Sequence, residues 1–181
     1  IENRPGAGGA LGPQQMAQTS KPDGYTLSQV PLGVFRLPYM TKTTFDPLND
    51  LTWILNVAGY EFGTMVRADS PWKTWQELIA FVKANPGKLT YGSPGIGTSN
   101  HLYSEVFQDV AGFEMPHVAY KGGNPAMTDL MGGHVQALLI SSTLAAPQVA
   151  AGKVKALAVT SEQRMAKIPG VPTFAEAGYA D

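Results

Sequence analysis

Apolar positions along this chain change their spacing repeatedly, and each change marks an element. Trp75, Leu78, Ile79 and Val82 fall at i, i+3, i+4 and i+7 behind a Thr74-x-x-Glu77 capping box, which predicts a helix that Asn85-Pro86-Gly87 stops. Upstream, Gly6, Gly8, Gly9 and Gly12 form a loop leading into a helix from about Leu11 to Thr19, and Pro22-Asp23-Gly24 is a turn signal. Tyr25–Val30, Leu51–Ala58 and Thr64–Val66 read as strands. Downstream of Pro71 the alternation is cleaner. A short strand, Leu89–Tyr91, feeds a glycine-rich loop, and the helix that follows is expected to turn Leu102, Val106 and Val110 to one side. Val118–Tyr120 is a brief strand, after which Asn124 reads as an N-cap with Pro125 at the first helical position and Gly132-Gly133 as the stop. Val135–Ile140 is a nearly continuous apolar run, as expected of a strand covered on both faces. Ser141-Ser142-Thr143 opens a helix that Gly152 closes, and Val154–Thr160 is a last buried strand. A further helix is expected to begin near Thr173.

Strands alternating with helices predict an α/β fold with a mostly parallel sheet and flanking helices. In such sheets ligands bind beyond the carboxyl ends of the strands, where both the glycine loop and Ser141-Ser142-Thr143 fall.

The loop itself, Tyr91-Gly-Ser-Pro-Gly-Ile-Gly-Thr-Ser-Asn-His101, is the most informative stretch. Gly92, Gly95 and Gly97 crowd a turn, and Thr98, Ser99 and Asn100 stand where a helix starts. Unpaired backbone N–H groups and the positive end of a helix dipole then converge on one point, which suits a negative group. With no Lys or Arg in the loop, backbone and hydroxyls would hold that anion, which favours a reversibly captured carboxylate over a reacting phosphate. The plainer alternative is a strand-to-helix turn with no ligand, because short glycine patterns are weak motifs. The phosphate-binding frame Gly92-x-x-x-x-Gly97-Thr98-Ser99 has Thr98 where a lysine is required, so nucleotide chemistry is disfavoured.

Composition narrows the classes. Charged residues make up 15% of the 181, against roughly 25% in ordinary domains, while 20 Gly and 14 Pro indicate a folded chain rich in tight turns. A net charge of −1 gives no electrostatic case for nucleic acid or an anionic membrane surface. The absence of cysteine removes disulfide and thiolate chemistry, and three histidines make a structural zinc site unexpected. No apolar run approaches the roughly 20 residues that span a bilayer. No His-Glu-x-x-His or Gly-x-Ser-x-Gly pattern signals a metalloprotease or serine hydrolase, so no catalytic residue, metal or cofactor is expected. His101, His117 and His134 are read as structural or exposed, without a relay partner. Opening on Ile1-Glu2-Asn3 and stopping at Asp181, the sequence reads as part of a longer polypeptide.

Eight segments in order, Ile1–Gly9, Lys21–Leu27, Lys83–Leu89, Tyr91–Thr98, His117–Gly123, Asp129–Val135, Gly152–Thr160 and Val171–Gly178, resemble the Bug family, the extracytoplasmic solute receptors of tripartite tricarboxylate transporters. The resemblance spans the chain. It implies a two-lobed periplasmic binding protein of the type II kind, with a cleft between the lobes that captures a small organic carboxylate for membrane transporter subunits. On that template residues 1–68 belong to the first lobe, 69–164 form the second, and 165–181 return towards the first. In the family, two strand–loop–helix units, one per lobe, grip the carboxylate, partly through ordered water. Ser93, Gly95, Ile96, Gly97, Thr98 and Ser99 match the second-lobe unit. The first-lobe counterpart is expected upstream of Ile1. One departure is Ala119, where the family often has Pro, with an expected effect on stiffness more than chemistry.

Other positions are open between site and scaffold. Tyr120 and Lys121 follow a strand and precede a helix, so they are placed at the cleft, Lys121 being equally well a surface charge. Ser141 and Ser142 are expected to donate hydrogen bonds from the cleft floor, with helix capping as the alternative. Tyr60 and Phe62, flanking Glu61 near the expected hinge, are candidates for contact with the distal part of the ligand, with core packing as the alternative. Gly6 to Gly12 is read as a structural turn of the first lobe. A ligand-sensing regulatory domain of the same fold is the alternative function, and an enzyme is disfavoured because no paired base and nucleophile is expected.

Overall fold

Hydrogen-bond pairing, more than apolar content, decides which of the expected strands form. In the computed structural model, which describes residues 1–179, five strands make one sheet. They are β1 (Phe62–Arg67), β2 (Tyr91–Ser93), β3 (His117–Ala119), β4 (Ala137–Ser141) and β5 (Val154–Val159), ordered β3-β2-β4-β1-β5. β2 runs parallel to β3 and β4, whereas β1 is antiparallel to both its neighbours, pairing Phe62 with Ser141 and Val66 with Ala137. Four strands thus share one direction and β1 alone is reversed, so the sheet is mixed.

Two expected strands are corrections. Tyr25–Val30 and Leu51–Ala58 carry no regular structure and belong to no sheet, and Tyr25, Leu27, Ile54, Leu55 and Val57 are exposed. A strand exists only where a neighbour accepts and donates along its length, and no described residue pairs with either segment. The helix expected near Thr173 is instead a run of turns anchored by a single bridge from Thr173 to Val159.

Helices α1 (Leu11–Thr19) and α3 (Trp75–Ala84) form where local signals place them. The Thr74 hydroxyl accepts from the Glu77 amide at 3.2 Å, and the Glu77 carboxylate accepts in return from the Lys73 amide at 2.6 Å. Between α1 and the sheet, a 3₁₀ turn over Leu32–Arg36 leads into the short α2 (Leu37–Met40). The remaining helices are α4 (Ser99–Ala111), α5 (Gly123–Gly132) and α6 (Ser142–Ala150). α5 starts before the expected Asn124 cap, from Gly122 at φ +120, a backbone conformation that favours glycine.

The sheet is covered on both faces. Val66, Tyr91, Ala137 and Leu157 pack with Trp75, Leu78, Ile79 and Val82 of α3 and with Phe107 of α4. On the other face, Met65, Leu138 and Ile140 pack with Ala126, Met127 and Leu130 of α5 and Ala145 of α6. A smaller cluster of Ala10, Val34 and Phe45 organises the N-terminal segment.

α4 corrects the sequence reading of its buried face. Val106 and Val110 are 59% and 71% exposed, while Asn100, Ser104, Gln108 and Ala111 are buried. The inward polar groups are satisfied: Asn100 donates to the Leu139 carbonyl at 3.0 Å, and the Gln108 amide group donates to the Ser104 carbonyl at 3.2 Å and accepts from the Met115 N–H. Hydrogen bonding to fixed backbone therefore sets the rotation of this helix, with Phe107 supplying the apolar contact. No helix among the described residues is long and apolar enough to cross a membrane.

Candidate functional site

β2 ends at Ser93, and the chain then makes the glycine loop before entering α4. Gly97, at φ +74, adopts a left-handed conformation that an L side chain rarely takes, which explains the residue type there. Thr98 caps α4: its hydroxyl donates to the Gly95 carbonyl at 2.7 Å and accepts from the His101 amide at 3.4 Å. Ser93 is fully buried, and its hydroxyl accepts from the Gly95 amide at 3.2 Å while lying 2.7 Å from His117 Nε2. The adjoining strand end is zipped to the loop, because the Tyr120 amide donates to the Ser93 carbonyl and the Gly122 amide to the Pro94 carbonyl, each at 3.0 Å.

Only some loop amides are free. Those of Gly95 and Thr98 are engaged with Ser93 Oγ and the Gly95 carbonyl, and that of Gly97 makes a long contact of 3.4 Å to His101 Nδ1. The amides of Ile96, Ser99 and Asn100 have no acceptor among the described residues. The unpaired backbone N–H groups expected across this loop are thus fewer than the glycine-rich sequence implies. The free donors sit at one tip of the loop and in the first turn of α4.

Residues distant in sequence close over this loop. A Cβ on Gly33 would lie 3.3 Å from the Gly97 carbonyl, one on Gly8 would lie 3.5 Å from the Ile96 carbonyl, and Met40 approaches Gly97 itself. The Gly6–Gly12 turn is thus structural, and it also allows close backbone approach to the site. Arg36 arrives with it, its Nη1 donating to Ser99 Oγ at 3.4 Å. The sequence shows no basic residue in the loop; the fold brings one there from 63 positions away.

The histidines are not isolated. His101 and His117 lie ring against ring with centroids 4.2 Å apart, and Tyr91 stacks on His117 at 4.8 Å. His101 Nε2 is 3.8 Å from Glu105, one helical turn on, and the Tyr91 hydroxyl donates to the same carboxylate. The i, i+4 spacing of His101 and Glu105 is the sequence signal that announces this pairing. Burial, reinforced by the neighbouring His101, pushes His117 down to about 4, so it is neutral at ordinary pH. Burial and then the Glu105 hydrogen bond push the Tyr91 phenol upward. Although Ser93, His117, His101 and Glu105 are strung together, Ser93 is fully enclosed and bound to the loop backbone, so the chain braces the loop and offers no accessible nucleophile.

Other expected site residues divide. Ser142 is buried, and both its hydroxyl and its amide donate to the Glu61 carbonyl, at 2.9 and 3.0 Å, so it pins β1 to α6 and is unavailable to a cleft. Ser141 caps α6 without a side-chain hydrogen bond and faces Phe62 in the sheet register. Phe62 is 5% exposed and stacks on Tyr60 at 6.0 Å, which makes it a core ring. Tyr60 is half exposed and accepts from Gln29. The Tyr120 hydroxyl is committed to Asp129 at 2.8 Å, and burial with that carboxylate pushes it up to about 12. Lys121 is exposed. A depression of about 630 Å³ lies beside the Ser142–Glu61 contact, lined by Glu61, Thr143, Arg164 and Lys167 among others, and its lining does not include the glycine loop.

Comparison with known proteins gives a consistent picture. The pattern defining the tripartite tricarboxylate transporter family receptor matches residues 1–181. A Cupriavidus necator protein, "UPF0065 protein in gbd 5'region", is 52% identical over 179 residues, covering 98% of this chain and 54% of that protein. The chain spans about half the length of the curated relatives it matches. Among solved structures, the periplasmic binding protein BugD superposes with a TM-score of 0.91 at 34% identity, covering 99% of this chain and 60% of BugD. MatC from Rhodopseudomonas palustris, solved with bound malate, gives a TM-score of 0.89 at 27% identity, covering 99% of this chain and 62% of MatC. The sheet with its flanking helices is thus that of periplasmic binding proteins of this type, and the chain belongs to the tripartite tricarboxylate transporter receptor family.

Proposed function

We propose that this chain forms the carboxylate-binding part of a periplasmic solute receptor that delivers a small organic acid to the membrane subunits of a tripartite transporter. The supporting observation is the set of free amides of Ile96, Ser99 and Asn100 at the head of the thirteen-residue helix α4. These donors and the helix dipole favour one carboxylate, and the rigid Ser93–His117 brace holds them in place at little entropic cost. Gly95, Gly97 and Thr98 shape the loop. Binding selects among carboxylates, no bond is made or broken, and no cofactor takes part. β1 (Phe62–Arg67) is shared with the sheet of the second lobe, so the first lobe draws on residues ahead of it, and ligand contacts to both lobes favour a closed form. The malate in MatC supports the ligand class.

Thermal shift and calorimetry on the full-length protein test this reading with short aliphatic dicarboxylates and their dimethyl esters. The acids should raise the melting temperature, with about 2.7 kcal/mol of stabilisation at a hundredfold excess over Kd, and the esters should not. Equal responses to acid and ester, or none to any acid, would overturn it.

A further inference from the structure

We propose that Arg36 is a ligand-contacting cation of this site, supplied by the N-terminal segment to the same carboxylate that the α4 amides hold; this rests on the carboxylate reading above. Three observations converge. First, Arg36 is fixed in place: it ends the 3₁₀ turn whose Val34 is fully buried and whose Gly33 presses against the Gly97 carbonyl. Second, its Nη1 reaches Ser99 Oγ at 3.4 Å, beside a free amide, with a weak bond to a neutral acceptor. Third, it is half buried yet has no carboxylate within 4.0 Å among the described residues, where the ion pairs are made by Arg4, Arg67, Arg164 and His101.

A guanidinium beside the amino end of a helix is electrostatically misplaced, because the dipole presents positive charge there too. Two positive features aimed at one spot, without an internal anion, are reconciled by an external one. A carboxylate there would accept from the Ser99 amide and from the planar fork of Arg36, a geometry that arginine matches better than lysine. It would also tie the segment of residues 1–40 to the glycine loop through the ligand, so that binding and docking of that segment reinforce each other.

The test compares wild type, Arg36→Gln and Arg36→Lys in the full-length protein, by calorimetry with a dicarboxylate that wild type binds, at low and high salt. Arg36→Gln should lose affinity about ten- to hundredfold and lose most of the salt dependence, as charge-assisted bonds are roughly twice as strong as neutral ones. Arg36→Lys should keep the salt dependence with an intermediate affinity. Wild-type affinity in Arg36→Gln would overturn the assignment of Arg36 and leave the amide site standing. A loss shared equally by Gln and Lys, with the salt dependence of wild type in both, would show that Arg36 only braces Ser99. Failure of wild type to bind any carboxylate would instead sink the receptor reading, and this inference with it.

Discussion

At the residue scale, one glycine and one histidine carry opposite lessons. Gly97 combines φ +74 with a Cβ direction that would meet Met40 at 3.0 Å, so a side chain there is strained and crowded beside the free Ile96 amide. Gly97→Asp adds a carboxylate at that point. Backbone strain of about 1–3 kcal/mol plus like-charge repulsion should reduce ligand affinity by more than about a hundredfold. Calorimetry returning the wild-type affinity would refute this. His117 acts on stability instead. Its folded value of about 4 lies below the ordinary 6.5, so between those pH values the unfolded chain binds the extra proton. Stability contributed by neutral His117 is present above about pH 6.5 and is lost as pH falls towards 4, by about 1 kcal/mol once solvent screening is allowed for. Melting temperatures should therefore drop more steeply over that window in wild type than in His117→Gln; parallel curves would refute a stabilising role of neutral His117, which faces His101 and Glu105.

At the element scale, α4 shows polar contacts overriding apolar spacing. Val106 and Val110 follow a helical period yet face outward, because Asn100 and Gln108 each meet a backbone group on the buried side. Gln108→Ala should cost about 1–3 kcal/mol by orphaning the buried Met115 amide, whereas Val110→Lys should stay within about 0.5 kcal/mol. Denaturant unfolding of both variants checks the order of the two effects. If the valine substitution proved the costlier, the orientation of this helix would be wrong. By contrast α3 obeys its pattern in full, since its cap and its apolar face are satisfied by groups within one turn and by one sheet face.

At the scale of the molecule, the candidate site is a joint between the loop after β2 and the N-terminal segment, where Cβ atoms on Gly8 and Gly33 would lie 3.5 and 3.3 Å from the Ile96 and Gly97 carbonyls. Gly33→Val, which introduces no left-handed strain, would push against the Gly97 carbonyl from 3.3 Å and lift that segment away. Overpacking costs about 1–3 kcal/mol, so ligand affinity should fall about tenfold or more while the sheet still melts cooperatively. Unchanged binding would show that the segment is a bystander. What the sequence by itself determined are features whose cause lies within a few residues: the bounds of α1 and α3, the glycine turn and its Thr98 cap, the alternation that makes an α/β sheet, and the ordered motifs of the family. Only the tertiary structure decided what depends on distant neighbours. It left Tyr25–Val30 and Leu51–Ala58 without a pairing partner among the described residues, reversed β1, turned the polar face of α4 inward, buried Ser142 and Phe62, packed His101 against His117 and set Arg36 beside Ser99. Local caps and turns are encoded by short-range sterics and hydrogen bonds, whereas pairing, burial and charge placement exist only once segments far apart in the chain have met.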